Sequence, residues 1–214
     1  MDEAAQGIIL RTRPLTETSL IVYWLTAEQG RLATVAKGAR RPKSTYHGKL
    51  DLFFSADFNF SRSRRSELHN LREVKLRETH AELRRSLHKL EQLSYFTNLI
   101  EQTTEADTPI PETHQLFSGI VQHVRAQPPQ PRLVFAFELK HLTDLGLAPD
   151  IESSRLKKPA AELVEKLLHL DWPDIARLKT DTETARDIQQ FLHGYLIYHI
   201  DRLPKGRAKA LAHG

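Results

Sequence analysis

The chain has 214 residues, of which 40% are hydrophobic and 27% charged, and this composition supports a globular core in one or two domains. It contains no cysteine, which excludes disulfides and thiolate zinc sites, so a zinc ion would need His, Asp and Glu ligands alone. No apolar run approaches the ~20 residues that cross a bilayer, and the acidic start lacks the apolar core of a signal peptide; we therefore expect a cytoplasmic protein.

The net charge of +4 is unevenly distributed along the chain. Residues 1–80 carry 14 Lys and Arg against 9 Asp and Glu, whereas residues 81–214 carry 17 against 18. The positive excess therefore belongs to the N-terminal third of the chain. This asymmetry favours a polyanionic partner for that part alone.

The first 80 residues contain five runs that predict short β-strands. The clearest run alternates large apolar residues with mostly polar ones, and this period of two is typical of a strand with one buried face. Five short strands with tight turns indicate a small antiparallel barrel. The five runs are residues 7–13, 19–26, 31–37, 51–60 (the clearest) and 68–77.

After residue 79 the apolar period changes to three and four, which predicts helices. Gly146 is placed to cap one of them, and Thr180 with Glu183 predicts a capping box at the start of the last long helix. The basic tail from residue 204 lacks an apolar stripe. The helical stretches are 83–100, 116–124, 133–145, 159–170, about 172–178, and 180–200. We therefore predict an α+β fold, with a barrel in residues 1–80 and an all-α domain in residues 81–214.

Residues 29–50 contain six basic residues and no acidic one. A predicted strand runs into Gly38 and a basic loop follows, an arrangement that suits contacts with a phosphate backbone. The four first candidates for such contacts are Lys37, Arg40, Arg41 and Lys43.

Further candidates flank the same loop or lie within it. Arg11, Arg13 and Arg31 flank the same predicted barrel face, and Tyr46, in the polar loop, is the best candidate for stacking on bases. For three other aromatic residues we expect core packing instead, namely Tyr23, Trp24 and Phe53. A basic turn would widen the footprint through Arg62, Arg64 and Arg65.

Signatures of covalent catalysis are missing from the sequence. It has no GxxxxGK[ST], GxSxG, HExxH or GxGxxG pattern. The eleven histidines are scattered, and no carboxylate cluster completes a metal site. We expect no catalytic residue, no cofactor and no stoichiometric zinc.

Several motifs resemble the bacterial recombinational repair family RecO. The N-terminal match is ungapped over about 50 residues and includes GIILRTRP from residue 7, ETSLIV from residue 17, GRLATVAKGARRPKS from residue 30 and GKLDLF from residue 48. Looser matches are FELKHLTDLG from residue 137 and LPKGR from residue 203. One departure is clear: many members carry a four-cysteine zinc module soon after the Leu-Gly, and this chain has none.

The resemblance implies an N-terminal OB-fold, a helical C-terminal domain and no covalent catalysis. It also implies binding to single- and double-stranded DNA, annealing of complementary strands and, in the cell, association with the nucleoid. The implied partners are RecR and the acidic tail of the single-stranded DNA-binding protein, with which the family helps to load RecA.

That acidic tail ends in an apolar side chain, so its receptor needs an apolar pocket rimmed by cations. The predicted helix of residues 131–146 offers Arg132, Phe135, Leu139 and Lys140 for this role. Phe135 and Ala136 stand where some family members have a basic pair.

Two other functions stay open at this point. One is a metal-dependent nuclease whose carboxylates meet only in three dimensions, although no suitable Asp/Glu pair stands in the basic region. The other is an RNA-binding OB-fold protein. Annealing of complementary oligonucleotides in EDTA separates mediator from nuclease, and competition between DNA and RNA tests the RNA-binding alternative. For the mediator, Lys37→Glu with Arg40→Glu is expected to weaken oligonucleotide binding at least about tenfold.

Overall fold

The computed structural model describes residues 2–212. The chain forms two compact units, one of Met1–Ala81 with Thr104–Ser118 and one of Glu82–Thr103 with Gly119–Gly214. The two domains that the sequence indicates, residues 1–80 and 81–214, stay a prediction.

A closed five-stranded barrel forms the first unit, as the strand pattern predicts. The neighbour order is β1-β2-β3-β5-β4, and all pairs are antiparallel except a short parallel contact between β3 and β5. The strands are β1 (Asp2–Pro14), β2 (Leu20–Thr26), β3 (Gly30–Ala36), β4 (Ser55–Ser61) and β5 (Leu68–Glu78). β1 is longer than predicted because its first half pairs with β4 and its second half with β2.

Inward-facing aromatic residues fill the barrel. Trp24 is fully buried, stacks on Phe58 with ring centroids 4.0 Å apart, and donates its indole N–H to Thr34 Oγ1 at 2.8 Å. A buried indole N–H needs such a partner, because an unpaired one would cost free energy in the core. The expected core role of Trp24 is confirmed.

The predicted strand over residues 51–60 is wrong in its first half, since β4 begins only at Ser55. Phe53 adopts a left-handed backbone conformation (φ 62°) and is buried, as expected of a core residue. Its N–H donates to Ile9 O at 2.7 Å, and Ile9 N–H donates to Phe54 O at 2.9 Å. These bonds to β1 hold the chain in a turn. The neighbouring residues Phe53 and Phe54 are therefore both buried, whereas in a strand they would face opposite sides.

Helices build the second unit, after a short 3₁₀ turn at Ala81–Arg85. They are α1 (Leu87–Thr103), α2 (Pro111–Ala126, whose first half groups with the barrel), α3 (Pro131–Asp144), α4 (Lys158–His169), α5 (Trp172–Arg177), α6 (Thr182–Ile200) and α7 (Arg207–Leu211). The helix positions follow the sequence pattern closely, apart from α7, which lies in the predicted tail.

Two helix ends show how local sequence sets the boundaries. α3 ends in a Schellman motif: Gly146 has φ 75° and its N–H donates to Thr143 O at 2.9 Å, while Leu147 N–H donates to Leu142 O at 2.8 Å. The predicted cap by Gly146 is confirmed.

The predicted cap at Thr180 is wrong, because Asp181 is the N-cap of α6. The Asp181 carboxylate accepts two hydrogen bonds from Thr184, one from its backbone N–H at 2.8 Å and one from the Thr184 hydroxyl at 2.7 Å. These bonds from Thr184 lower the pKa of Asp181. A carboxylate also interacts favourably with the positive end of the helix dipole, and so outcompetes a hydroxyl for this role.

A buried ion pair anchors α7. Arg207 donates from Nε and Nη2 to the two carboxylate oxygens of Glu138 at 2.7 and 2.9 Å, and Tyr95 also donates its hydroxyl to Glu138. Glu138 on α3 and Tyr95 on α1 are fully buried, and Arg207 is 5% exposed. The contact joins two stretches that resemble the RecO family separately, the one that begins at Phe137 and the one that ends at Arg207.

Candidate nucleic-acid interface

The basic loop, residues 37–50, folds as a series of turns after β3. Gly38 has φ 71°, a conformation that favours glycine at the first turn. The loop backbone is therefore held by local bonds and not left as a free tether. Four amides donate to the carbonyl oxygen three residues earlier at 3.0–3.1 Å, those of Arg41, Ser44, His47 and Lys49.

The four first-choice cations of the basic loop are exposed. Within residues 2–212, none of them forms an ion pair. Arg40 has a structural contact, since its Nη1 donates to Thr16 O and its backbone N–H to Thr18 O, both at 2.9 Å. These bonds tie the loop to the turn between β1 and β2. Lys37, Arg41 and Lys43 leave their charges available to an anion.

Tyr46 anchors the loop to the barrel. Its hydroxyl donates to Leu71 O at 2.9 Å and lies 3.1 Å from Arg72 O, while its half-buried ring packs against the barrel core. Burial raises the pKa of the Tyr46 hydroxyl. This contact occupies the side chain that the sequence favours for base stacking, and that role stays a prediction.

Arg11 and Arg13 project from the outer face of β1. Arg11 pairs across the sheet with Tyr23 on β2, and its guanidinium lies 4.2 Å from the centre of the Tyr23 ring. Arg13 is exposed at the end of the strand, beside the turn to which the basic loop is bonded. The structure thus places both arginines on the sheet face that adjoins the basic loop. Unlike Trp24 and Phe53, Tyr23 is partly exposed on the outer face of β2 and is not the core residue that we expected.

Arg31 lies at the opposite end of β3 from the basic loop. Lys37 lies six positions further along the chain, roughly 20 Å along an extended strand. Its Nε donates to Thr104 Oγ1 at 2.8 Å and its Nη2 to Thr104 O. The guanidinium holds the segment after α1 against the barrel, and its predicted DNA contact is not joined to those of the loop.

Arg62 likewise makes structural contacts within the barrel unit. It forms a two-bond ion pair with Glu3, at 2.9 and 3.1 Å, and donates to Asp107 Oδ1 at 2.6 Å. The hydrogen bonds to these carboxylates raise the pKa of Arg62. Of the three cations that would widen the footprint, only Arg64 and Arg65 have exposed side chains without such ion pairs among the described residues.

The outer face of β1, β4 and β5 has a different charge character. It carries a shallow groove of about 400 Å³ lined by Glu28, Asp57 and Glu73 with the single cation Lys75. A groove of this composition repels phosphate. We therefore do not expect this groove to hold DNA, and the basic loop with the sheet face beside it stays the first candidate.

In the helical unit, the four predicted partner residues take part in packing. Phe135 and Leu139 are buried. Arg132 donates to Gln130 Oε1 at 2.8 Å and to Leu178 O, and Lys140 donates to Leu168 O at 2.7 Å. Burial lowers the pKa of both cations. Their contacts with backbone oxygens join α3 to the neighbouring helices.

A surface groove of about 470 Å³ lies beside these residues, between α3, α6 and α7. We call it the α6 groove. Its floor includes Phe135 and Leu211, and its rim carries Arg186 and His193 from α6. Sequence reasoning missed both rim residues, although their spacing of seven places them on one helix face.

Neither a metal centre nor a membrane span is found in the described part of the chain. Residues 2–212 contain no group of three His, Asp or Glu side chains placed to hold a metal ion. Among the same residues, no helix combines the length and the apolarity of a transmembrane segment.

The fold first defines a class, that of proteins in which helices follow a five-stranded OB-type barrel. Family models then identify the member of that class. The model described as "Recombination protein O N terminal" matches residues 1–80, and "Recombination protein O C terminal" matches residues 84–155. The chain belongs to the RecO family.

Curated relatives are described as DNA repair protein RecO. The chain is 27% identical to the protein of Syntrophus aciditrophicus over 153 residues, 72% of this chain and 59% of the relative. It is 32% identical to that of Rhodopirellula baltica over 143 residues, 67% and 53% of the two chains. It is 22% identical to the protein of Alkaliphilus metalliredigens, in an alignment that covers 92% of this chain and 94% of the relative. The chain thus spans little more than half the length of the first two relatives.

Proposed function

We propose that this chain is a DNA-binding recombination mediator in DNA repair that performs no covalent catalysis. It binds single- and double-stranded DNA, anneals complementary strands and, with RecR, helps to load RecA on DNA coated by the single-stranded DNA-binding protein. The observation that carries the proposal is the basic loop, whose exposed cations Lys37, Arg41 and Lys43 stand on a backbone held by turns. Membership of the RecO family supports the repair role.

The geometry of the loop suits a phosphate backbone. Each cation that neutralises a phosphate releases condensed counterions, which drives binding without reading sequence. A mediator must hold many sequences, and contacts with phosphates allow this. The lack of acids in the loop removes the competing internal partners that occupy Arg62.

Charge reversal in the loop tests the proposal. Arg40 also ties the loop to Thr16, so the variant of choice is Lys37→Glu with Arg41→Glu, which spares that contact. Binding to both single-stranded and duplex oligonucleotides should weaken at least about tenfold at moderate salt, from ~1 kcal/mol or more per lost charged contact. Fluorescence anisotropy measures it.

The matched control reverses the same amount of charge on α4, through Lys158→Glu with Lys166→Glu, both exposed. It should bind DNA nearly as the wild type does. A folded loop variant with unchanged affinity for both oligonucleotides would contradict the proposal.

Annealing separates the mediator from the two other functions. Labelled complementary oligonucleotides should anneal faster with the protein in EDTA, where a metal-dependent nuclease is silent. Cleavage that appears only with added divalent metal would favour the nuclease, and preferential competition by RNA would favour an RNA-binding protein.

For the partner contact, we propose that the α6 groove receives the acidic tail of the single-stranded DNA-binding protein. The apolar floor at Phe135 and Leu211 takes the terminal side chain, and Arg186 and His193 attract the carboxylates. Arg132 and Lys140 are engaged with backbone oxygens and contribute mainly by holding α3 in place.

A synthetic tail peptide tests this with the full chain. Arg186→Ala should weaken peptide binding several-fold. The difference from the wild type should become smaller at higher salt, because salt screens the rim charge. Removing the terminal apolar side chain of the peptide should cost more, because that contact is desolvated. Arg177→Ala, at an exposed cation on α5, serves as control. Equal binding by the Arg186 and Arg177 variants would place the tail elsewhere.

A further inference from the structure

Tyr23 is placed differently from the aromatic residues that fill the barrel. Trp24, Phe58 and Phe60 point inward and are at most 2% exposed, whereas Tyr23 lies on the outer face of β2 and is partly exposed. Arg11 on β1 lies over the Tyr23 ring, 4.2 Å from its centre. No hydrogen bond to the Tyr23 hydroxyl occurs within the described residues. Core packing alone therefore does not explain this side chain.

The neighbour of Tyr23 on the next strand is a small residue. On β3, the residue paired with Tyr23 is Ala33, whose methyl group rises little above the sheet. The next cross-strand row holds Arg13, Ile21 and Val35, all outward-facing and at least partly exposed. One residue beyond the end of β3 stands Lys37 of the basic loop. The ring is thus flanked by a low apolar surface and by cations.

We propose that Arg11 and Tyr23 form a stacking platform for the unpaired bases of a single strand, separate from the phosphate contacts of the basic loop. The inference rests on the proposed function and adds to it that single strands and duplexes contact different parts of the barrel surface. Single strands engage the platform and the loop together, whereas a duplex engages the loop alone.

Stacking chemistry supports this occupant. An unpaired base offers a π-face to an aromatic ring or to a guanidinium, whereas a base inside a duplex has both faces covered by its neighbours. Arg13 and Lys37 provide positive charge for the phosphates of the same strand. An acidic protein segment would also meet this charge, but the small side chain of Ala33 supplies little apolar contact for an apolar anchor.

The platform has a consequence for annealing. Once two strands have paired, their bases no longer stack on Arg11 and Tyr23, and the product keeps only its phosphate contacts. The protein therefore binds the substrate of annealing more tightly than the product, which favours release of the duplex.

Tyr23→Leu tests the platform, because leucine keeps apolar bulk on the sheet but has no π-face. Affinity for a single strand should fall about tenfold, whereas affinity for a duplex of the same length should stay within about twofold. Tyr23→Phe keeps the aromatic ring and should bind both the single strand and the duplex as the wild type does. The matched control is Tyr198→Leu, at a tyrosine that is 83% exposed on α6. Circular dichroism confirms folding of each variant.

The two proposals fail differently. If Lys37→Glu with Arg41→Glu weakens both ligands and Tyr23→Leu weakens neither or both equally, the basic loop stands and the platform is overturned. If the loop variant changes nothing, the proposed function itself fails.

A second measurement uses the unaltered protein and does not depend on a folded variant. A single strand substituted with 5-iodouracil, irradiated in the complex, should cross-link to the peptide that contains Tyr23. Efficient cross-linking confined to other peptides, or competition by an acidic peptide but not by unlabelled single strand, would overturn the assignment to bases.

Discussion

Glu138 is a charged residue in the middle of an apolar helix, and its burial requires a partner. Desolvation of a carboxylate is costly unless a cation and further hydrogen bonds satisfy it. Arg207 and Tyr95 supply these contacts from the two ends of the helical unit. The pair therefore specifies where the C-terminal stretch docks.

Removing one member should destabilise the helical unit strongly. Arg207→Ala leaves Glu138 buried without its cation, and we expect a loss of about 3–5 kcal/mol in the free energy of unfolding. The triple variant Glu138→Leu, Arg207→Met, Tyr95→Phe should recover most of that loss, because no buried charge then remains. Urea unfolding measures both.

The control is Lys209→Ala, since Lys209 lies on the same helix with its side chain 74% exposed. Its cost should be within about 0.5 kcal/mol. If Arg207→Ala is as mild as the control, the ion pair does not hold α7.

The role of a residue could be predicted from the sequence where it depends on neighbouring residues in the chain. An acid-free run predicts exposed cations, and three of them are free for a ligand. The sequence does not reveal that Arg31, Arg132 and Lys140 bind carbonyl oxygens, because those oxygens belong to residues 28 to 73 positions away. Contacts of that separation follow from the tertiary fold.

At the scale of elements, periodicity predicted five strands and most helices. It failed at residues 51–54, where bonds to Ile9 bend an apolar run into a turn, and at α7, whose five residues are too few to show a stripe. In both places a distant contact outweighs the local pattern.

The start of α6 offers a matched pair of neighbouring residues. Asp181→Ala removes two hydrogen bonds to Thr184 and should lower the thermal midpoint by roughly 2–4 °C. Thr180→Ala should leave the midpoint unchanged or raise it, because the buried Thr180 hydroxyl has no hydrogen-bond partner within residues 2–212. Calorimetry compares them, and a larger loss for Thr180→Ala would restore the capping box as the start of the helix.

At the scale of the whole chain, charge is divided between surfaces of the barrel. The basic loop and the adjoining face of β1 and β2 carry cations, whereas the outer face of β1, β4 and β5 carries three carboxylates and one lysine in its groove. Net charge alone, +4, does not predict this separation. A cluster of cations such as the basic loop attracts and orients the approaching DNA before contact.

The salt dependence of DNA binding reports how many phosphates this surface neutralises. If the three available loop cations, Lys37, Arg41 and Lys43, each contact one phosphate of a duplex, the logarithm of the association constant should fall with the logarithm of salt concentration with a slope of about −2.7. Lys37→Glu with Arg41→Glu removes two of these contacts, so the slope should become shallower by about 2. Arg31→Gln should leave it unchanged, because the Arg31 guanidinium is bonded to Thr104. A slope that follows Arg31 but not the loop would move the phosphate-binding surface to the opposite end of β3.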